Sequence, residues 1–62
     1  MERDEFCRKF KDLVDKVGMS DEDLSRELQI SLPTIVRWKR AEAAPHPVGR
    51  EPVIKFLEQR MK

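Results

Sequence analysis

Apolar residues recur along the chain at helical spacing, and nowhere do they alternate with polar ones as in a strand exposed on one side. Phe6, Phe10, Leu13, Val14 and Val17 fall at i, i+4, i+7, i+8 and i+11, with charged residues opposite, which predicts a first helix over residues 3 to 17. Asp4 and Glu5 near its start and Lys16 near its end complement the helix dipole, and Gly18 is placed to cap it in a left-handed conformation. Glu5 with Lys9 and Asp12 with Lys16 add oriented i, i+4 pairs. Cys7 borders the apolar arc and is expected to be a small, part-buried side chain.

Two shorter helices are predicted next. Ser20 is the N-cap of one over about 21 to 28, with Asp23 as a shortened capping-box acid and Leu24 and Leu28 one turn apart. Ile30 falls in the connector. Ser31 then caps a third helix over 31 to 40, with Pro33 in the first turn, where a missing N–H costs nothing. Ile35 and Trp38 share its inner face, so these five apolar residues can close on one another. The opposite face carries Pro33, Val36, Arg37 and Arg40 at i, i+3, i+4 and i+7, a continuous outward stripe. Lys39 lies at the margin, where its stem packs and its ammonium reaches outward to solvent or phosphate.

The stretch from Ala41 to Gly49 mixes small residues with two prolines and ends the third helix, and His46 is expected to be an exposed loop residue or a helix cap. A fourth helix should start between Pro47 and Pro52 and run to about Arg60. Pro52 favours the later start, because proline is tolerated only in the first turn. One subset, such as Val53 and Leu57, can close the core against the first helix while Phe56 or Met61 lies on another side, a surplus that fits either a self-association surface or a simple small core. The fold class is all-α, a compact bundle of four to five short helices, forming one domain over residues 1 to 62.

Sixty-two residues allow one small core and no deep substrate cleft. The 13 basic and 12 acidic residues nearly cancel, so partner choice rests on where they sit. Residues 1 to 30 carry six Lys/Arg against nine Asp/Glu, whereas residues 31 to 50 carry four against one, which concentrates positive charge on and after the third helix. A lone cysteine and a lone histidine exclude an intrachain disulfide and a Cys/His zinc site, and a reducing, cytoplasmic setting is expected. No apolar run approaches the roughly 18 to 20 residues of a membrane span, and the charged start lacks a signal peptide's apolar core.

The spacing over residues 20 to 40 resembles the helix-turn-helix of the lambda-repressor-like (XRE) DNA-binding family. That family has a small residue within the first motif helix, where Ser25 stands between Leu24 and Leu28. After the turn it commonly reads Ser-x-x-Thr-aliphatic-x-Arg-Trp, which Ser31, Thr34, Ile35, Arg37 and Trp38 reproduce. Two features depart from the pattern. Gln29 stands where the family usually has glycine in the turn, and Asp21, Glu22 and Asp23 open a helix that in the family starts near a DNA phosphate.

The resemblance implies sequence-specific binding of double-stranded DNA by a small transcriptional regulator that lays its third helix in the major groove, usually as a homodimer on two half-sites. Leu32, Pro33, Val36 and Arg37 are the expected base-edge contacts, with Arg37 on guanine, and Ser31, Thr34, Lys39 and Arg40 the expected phosphate contacts. The alternative keeps the fold and replaces DNA with a protein partner, in the manner of an antitoxin or regulatory subunit. The acidic cluster and the near-zero net charge motivate it. No metal set, activated nucleophile or paired acid and base marks an enzyme, and no cofactor is expected.

Overall fold

A computed structural model describes residues 1 to 61 and contains four helices: α1 (Arg3–Val17), α2 (Asp21–Leu28), α3 (Leu32–Lys39) and α4 (Pro47–Gln59). Among the described residues there is no strand. The bundle is organised on α1, which packs against both α3 and α4, while α2 packs on α3.

The predicted stripe of α1, apart from its last member Val17, which lies half-buried outside the core, is the floor of the core. Phe6, Cys7, Phe10, Leu13 and Val14 are buried, and the pairs Glu5–Lys9 and Asp12–Lys16 form at 3.3 and 3.0 Å on its wet side. Gly18 ends the helix at φ 77°, with its N–H on the Val14 carbonyl at 2.9 Å. Trp38 of α3 meets both phenylalanines edge to face, with each ring centroid 5.5 Å away. Such pairs contribute about 0.5–1.5 kcal/mol beyond area burial. Cys7 is more deeply buried than its place at the edge of the arc implied. Its Sγ donates to the Ala43 carbonyl at 3.2 Å, tying α1 to the connector after α3.

α2 and α3 are joined by a tight turn, Gln29 to Ser31. Of the five residues expected to close the pair, Leu24, Ile35 and Trp38 are buried, and Leu28 and Ile30 pack against the core at its rim. The turn needs one left-handed residue, and Gln29 supplies it at φ 56° despite carrying a Cβ. Two bonds enforce that geometry: the Ile30 N–H donates to the Ser25 carbonyl at 3.0 Å, and the Ser25 hydroxyl donates back to the Ile30 carbonyl. Ser25 thus fastens the turn as well as leaving room for a neighbouring helix.

Four expectations need correction. The Ser20 hydroxyl does accept from the Asp23 N–H at 3.1 Å, but the Asp23 carboxylate turns to Arg26 at 3.0 Å, so the reciprocal half of the capping box is not made. Ser31 occupies the N-cap position of α3 without accepting a backbone N–H; its hydroxyl pairs with that of Thr34 at 2.7 Å. α4 starts early, at Pro47, with His46 as N-cap accepting the Val48 N–H on Nδ1 at 3.3 Å, so Pro52 lies inside the helix. The acceptor that Pro52 leaves without a donor belongs to Val48, which is 78% exposed, so water can take its place. Finally, Ile54 and Leu57 are the buried residues of α4, with Val53 and Phe56 only packed against the core. Phe56 is further covered by the Arg60 guanidinium, 4.7 Å from its ring centre, which leaves Met61 and Val48 as the exposed large apolar residues of this region.

Candidate functional site

α3 is short because both of its ends are fixed. Ser31 and Pro33 set its start, and its C-terminal turn is closed by the Ala41 N–H on the Trp38 carbonyl at 3.2 Å and the Glu42 N–H on the Arg37 carbonyl at 2.9 Å. This double closure requires a left-handed residue after the last helical turn, and Ala41 adopts it at φ 61°. With Ile35 and Trp38 buried, the opposite face turns outward by helical geometry alone.

That face is not covered by any other part of the described chain. Leu32, Pro33, Arg37 and Arg40 are exposed and Val36 is half-buried. Together with Glu42 they line a shallow depression of about 350 Å³. The structure therefore brings together all four residues assigned to base edges, and one assigned to phosphate, Arg40. Ser31 and Thr34 sit together at the start of the same helix, joined through their hydroxyls. Lys39 is drawn elsewhere: its ammonium donates to the Asp21 carboxylate at 2.9 Å, across from α3 to the first residue of α2.

Two residues of this region carry no local sequence signal for their place in it. Glu42 enters the depression because the left-handed Ala41 turns the chain back beside Arg37 and Arg40, and nothing in its local sequence marks that turn. Asp21 belongs to the acidic start of α2, and its partner on α3, eighteen residues away, is visible only in three dimensions.

The electrostatics of the depression are simple. Among the described residues neither Arg37 nor Arg40 has an ion-pair partner, whereas Arg26, Lys39 and Arg60 are each engaged by a carboxylate. The first turn of α3 holds no acidic residue, and Arg37 and Lys39 in its last turn complement the negative end of the helix dipole. Two guanidinium forks beside an aliphatic floor can donate paired hydrogen bonds to planar acceptors while contacting methyl groups. Glu42 offers one acceptor at the edge.

A larger hollow of about 530 Å³ lies on another side, lined by Val17, Met19, Asp23, Arg26, Glu27 and Arg60, but its arginines are already paired with Asp23 and Glu27. Cys7 is withdrawn from chemistry: burial pushes its thiol above the ordinary value, more than the nearby Arg3 guanidinium lowers it. Among the described residues no group of three or more His, Cys, Asp or Glu side chains is placed to hold a metal ion, and no helix is long and apolar enough to cross a membrane. The chain matches no protein-family model, no curated protein and no solved structure.

Proposed function

We propose that this protein binds double-stranded DNA in a sequence-dependent way, as a small cytoplasmic transcriptional regulator of the lambda-repressor-like kind, with α3 in the major groove. The observation that carries the proposal is the pairing of two arginines, without ion-pair partners among the described residues, with Leu32, Pro33 and Val36 on one uncovered helix face. A major groove about 12 Å wide admits a helix of this kind. In this reading Arg37 donates two N–H groups of its guanidinium fork to guanine O6 and N7, worth about 1–3 kcal/mol of discrimination, while Leu32, Pro33 and Val36 meet thymine methyls. Ser31, Thr34 and Arg40 hold phosphates and fix register. A second copy, joined through α4, supplies the second half-site.

Unbiased selection of duplexes by the purified protein is the direct test. Arg37→Glu should lose affinity for the selected duplex at every salt concentration, and unchanged affinity would sink the assignment. A second reading, a protein partner on the same face, is favoured by Glu42 at the rim of the depression and by the carboxylates that open α2. Salt separates the two: phosphate binding makes log K fall with log salt by about 0.9 per neutralised phosphate, whereas an apolar protein interface gives a much flatter line.

A further inference from the structure

We propose that Asp21 sets the strength of polyanion binding at the α3 face, by keeping the Lys39 ammonium for itself and out of reach of phosphate. This rests on the DNA reading above and adds to it a residue that limits affinity.

The geometry is specific. The turn from Gln29 to Ser31 joins one end of α2 to one end of α3, and the Lys39–Asp21 contact, at 2.9 Å, joins the two ends remote from it. The side chains of Lys39 and Asp21 are only 29% and 34% exposed, so water screens the pair less than it screens the pairs on α1. Asp21 is held from a second direction as well, because it opens α2, where the free N–H groups and the helix dipole favour a carboxylate. A phosphate that took Lys39 would have to break the contact and then lie beside an uncompensated carboxylate. Both steps oppose binding. The neighbouring Asp23 is engaged by Arg26 at 3.0 Å and does not supply a replacement partner. Lys39 therefore contributes a neutral pair to the surface that meets DNA, and Arg37 and Arg40 carry the positive charge.

The consequence is a chain whose affinity for DNA is held low by one internal carboxylate. It is measured on the purified protein with a duplex recovered by selection, by titrating salt. Asp21→Asn should bind more tightly, by at least about threefold at low salt, with a slope steeper by about 0.9, because one more ammonium becomes available to a phosphate. Asp21→Asn combined with Lys39→Met replaces a neutral pair with a neutral pair and should return the slope to that of the wild type. If Asp21→Asn leaves the slope unchanged, or if the double variant falls below the wild type by about 0.9, Lys39 already serves phosphate and the inference is wrong.

A resonance measurement, whose deciding arm uses the wild type, guards against misfolded variants. The Asp21 carboxyl carbon resonance should move when Lys39→Met removes its partner, and should stay at its free position when duplex is added to the wild type. Movement on adding duplex would overturn the inference. Absence of binding by both the wild type and Asp21→Asn would remove the DNA reading itself, and this proposal with it; binding with an indifferent slope would remove this proposal alone.

Discussion

Replacing Ala41 by glycine should stabilise the protein, although it removes a methyl group and adds no contact. Ala41 stands at φ 61°, in the left-handed region, because α3 ends in two crossing bonds, Glu42 N–H to Arg37 carbonyl at 2.9 Å and Ala41 N–H to Trp38 carbonyl at 3.2 Å. A residue with a Cβ is disfavoured there by roughly 1–2 kcal/mol. Glycine removes that cost and gives back roughly 0.4–1 kcal/mol through the greater freedom of its unfolded chain. The net gain should be about 1 kcal/mol, or about 4–8 °C in Tm for a domain of this size. Ala41→Val supplies the opposite arm, since a β-branched residue tolerates positive φ least. Thermal melts followed by far-ultraviolet circular dichroism on the three proteins decide the matter. Should valine and glycine both melt with the wild type, the residue is not left-handed in solution. The return of Glu42 toward Arg37 and Arg40, which shapes one wall of the candidate site, would then be lost with it.

Other outcomes follow from the same geometry. Ile54→Ala should cost about 2–5 kcal/mol and leave much of so small a domain unfolded in a denaturant titration, while Val53→Ala, at the rim, should cost clearly less. Ser20→Ala should cost about 1 kcal/mol in the same titration, because a capping bond to the Asp23 N–H is lost, whereas Ser31→Ala should cost only a few tenths, since no backbone donor depends on it. The raised Cys7 thiol keeps its proton in the folded state after the unfolded chain has lost it. Stability should therefore be untouched by this group below the ordinary value of 9.0 and decline as pH rises from there through the folded value, a decline that Cys7→Ala abolishes in urea melts run against pH.

The helices were legible in the chain wherever a long stripe or a cap fixed them. α1 is an example, with its five apolar positions and Gly18, and so is the outward face of α3, which follows from Ile35 and Trp38 turning inward. What escaped the sequence was decided across the fold. Pro52 argued for a late start to α4, yet the helix begins at Pro47, because a proline can sit within a helix where the carbonyl it leaves unpaired is wet. Val53 and Ile54 both satisfy helical spacing with Leu57, and only the position of α1 determines which is buried. Gln29 could be suspected of positive φ because glycine was missing from a turn that wanted it. Ala41 gave no such warning, since its conformation is imposed by where the chain must go next. The partner of Lys39 lies eighteen residues away, beyond any local pattern.

The only tryptophan of this protein sits next in sequence to Arg37, yet points inward, walled in by Phe6 and Phe10 and 4% exposed. Its intrinsic emission should therefore respond far more to the opening of the aromatic cluster than to whatever docks on α3. One cuvette can follow both quantities: the indole signal reads integrity of the fold, and a dye on the added molecule reads occupancy. A variant that loses the second signal while keeping the first has lost a contact, not its shape.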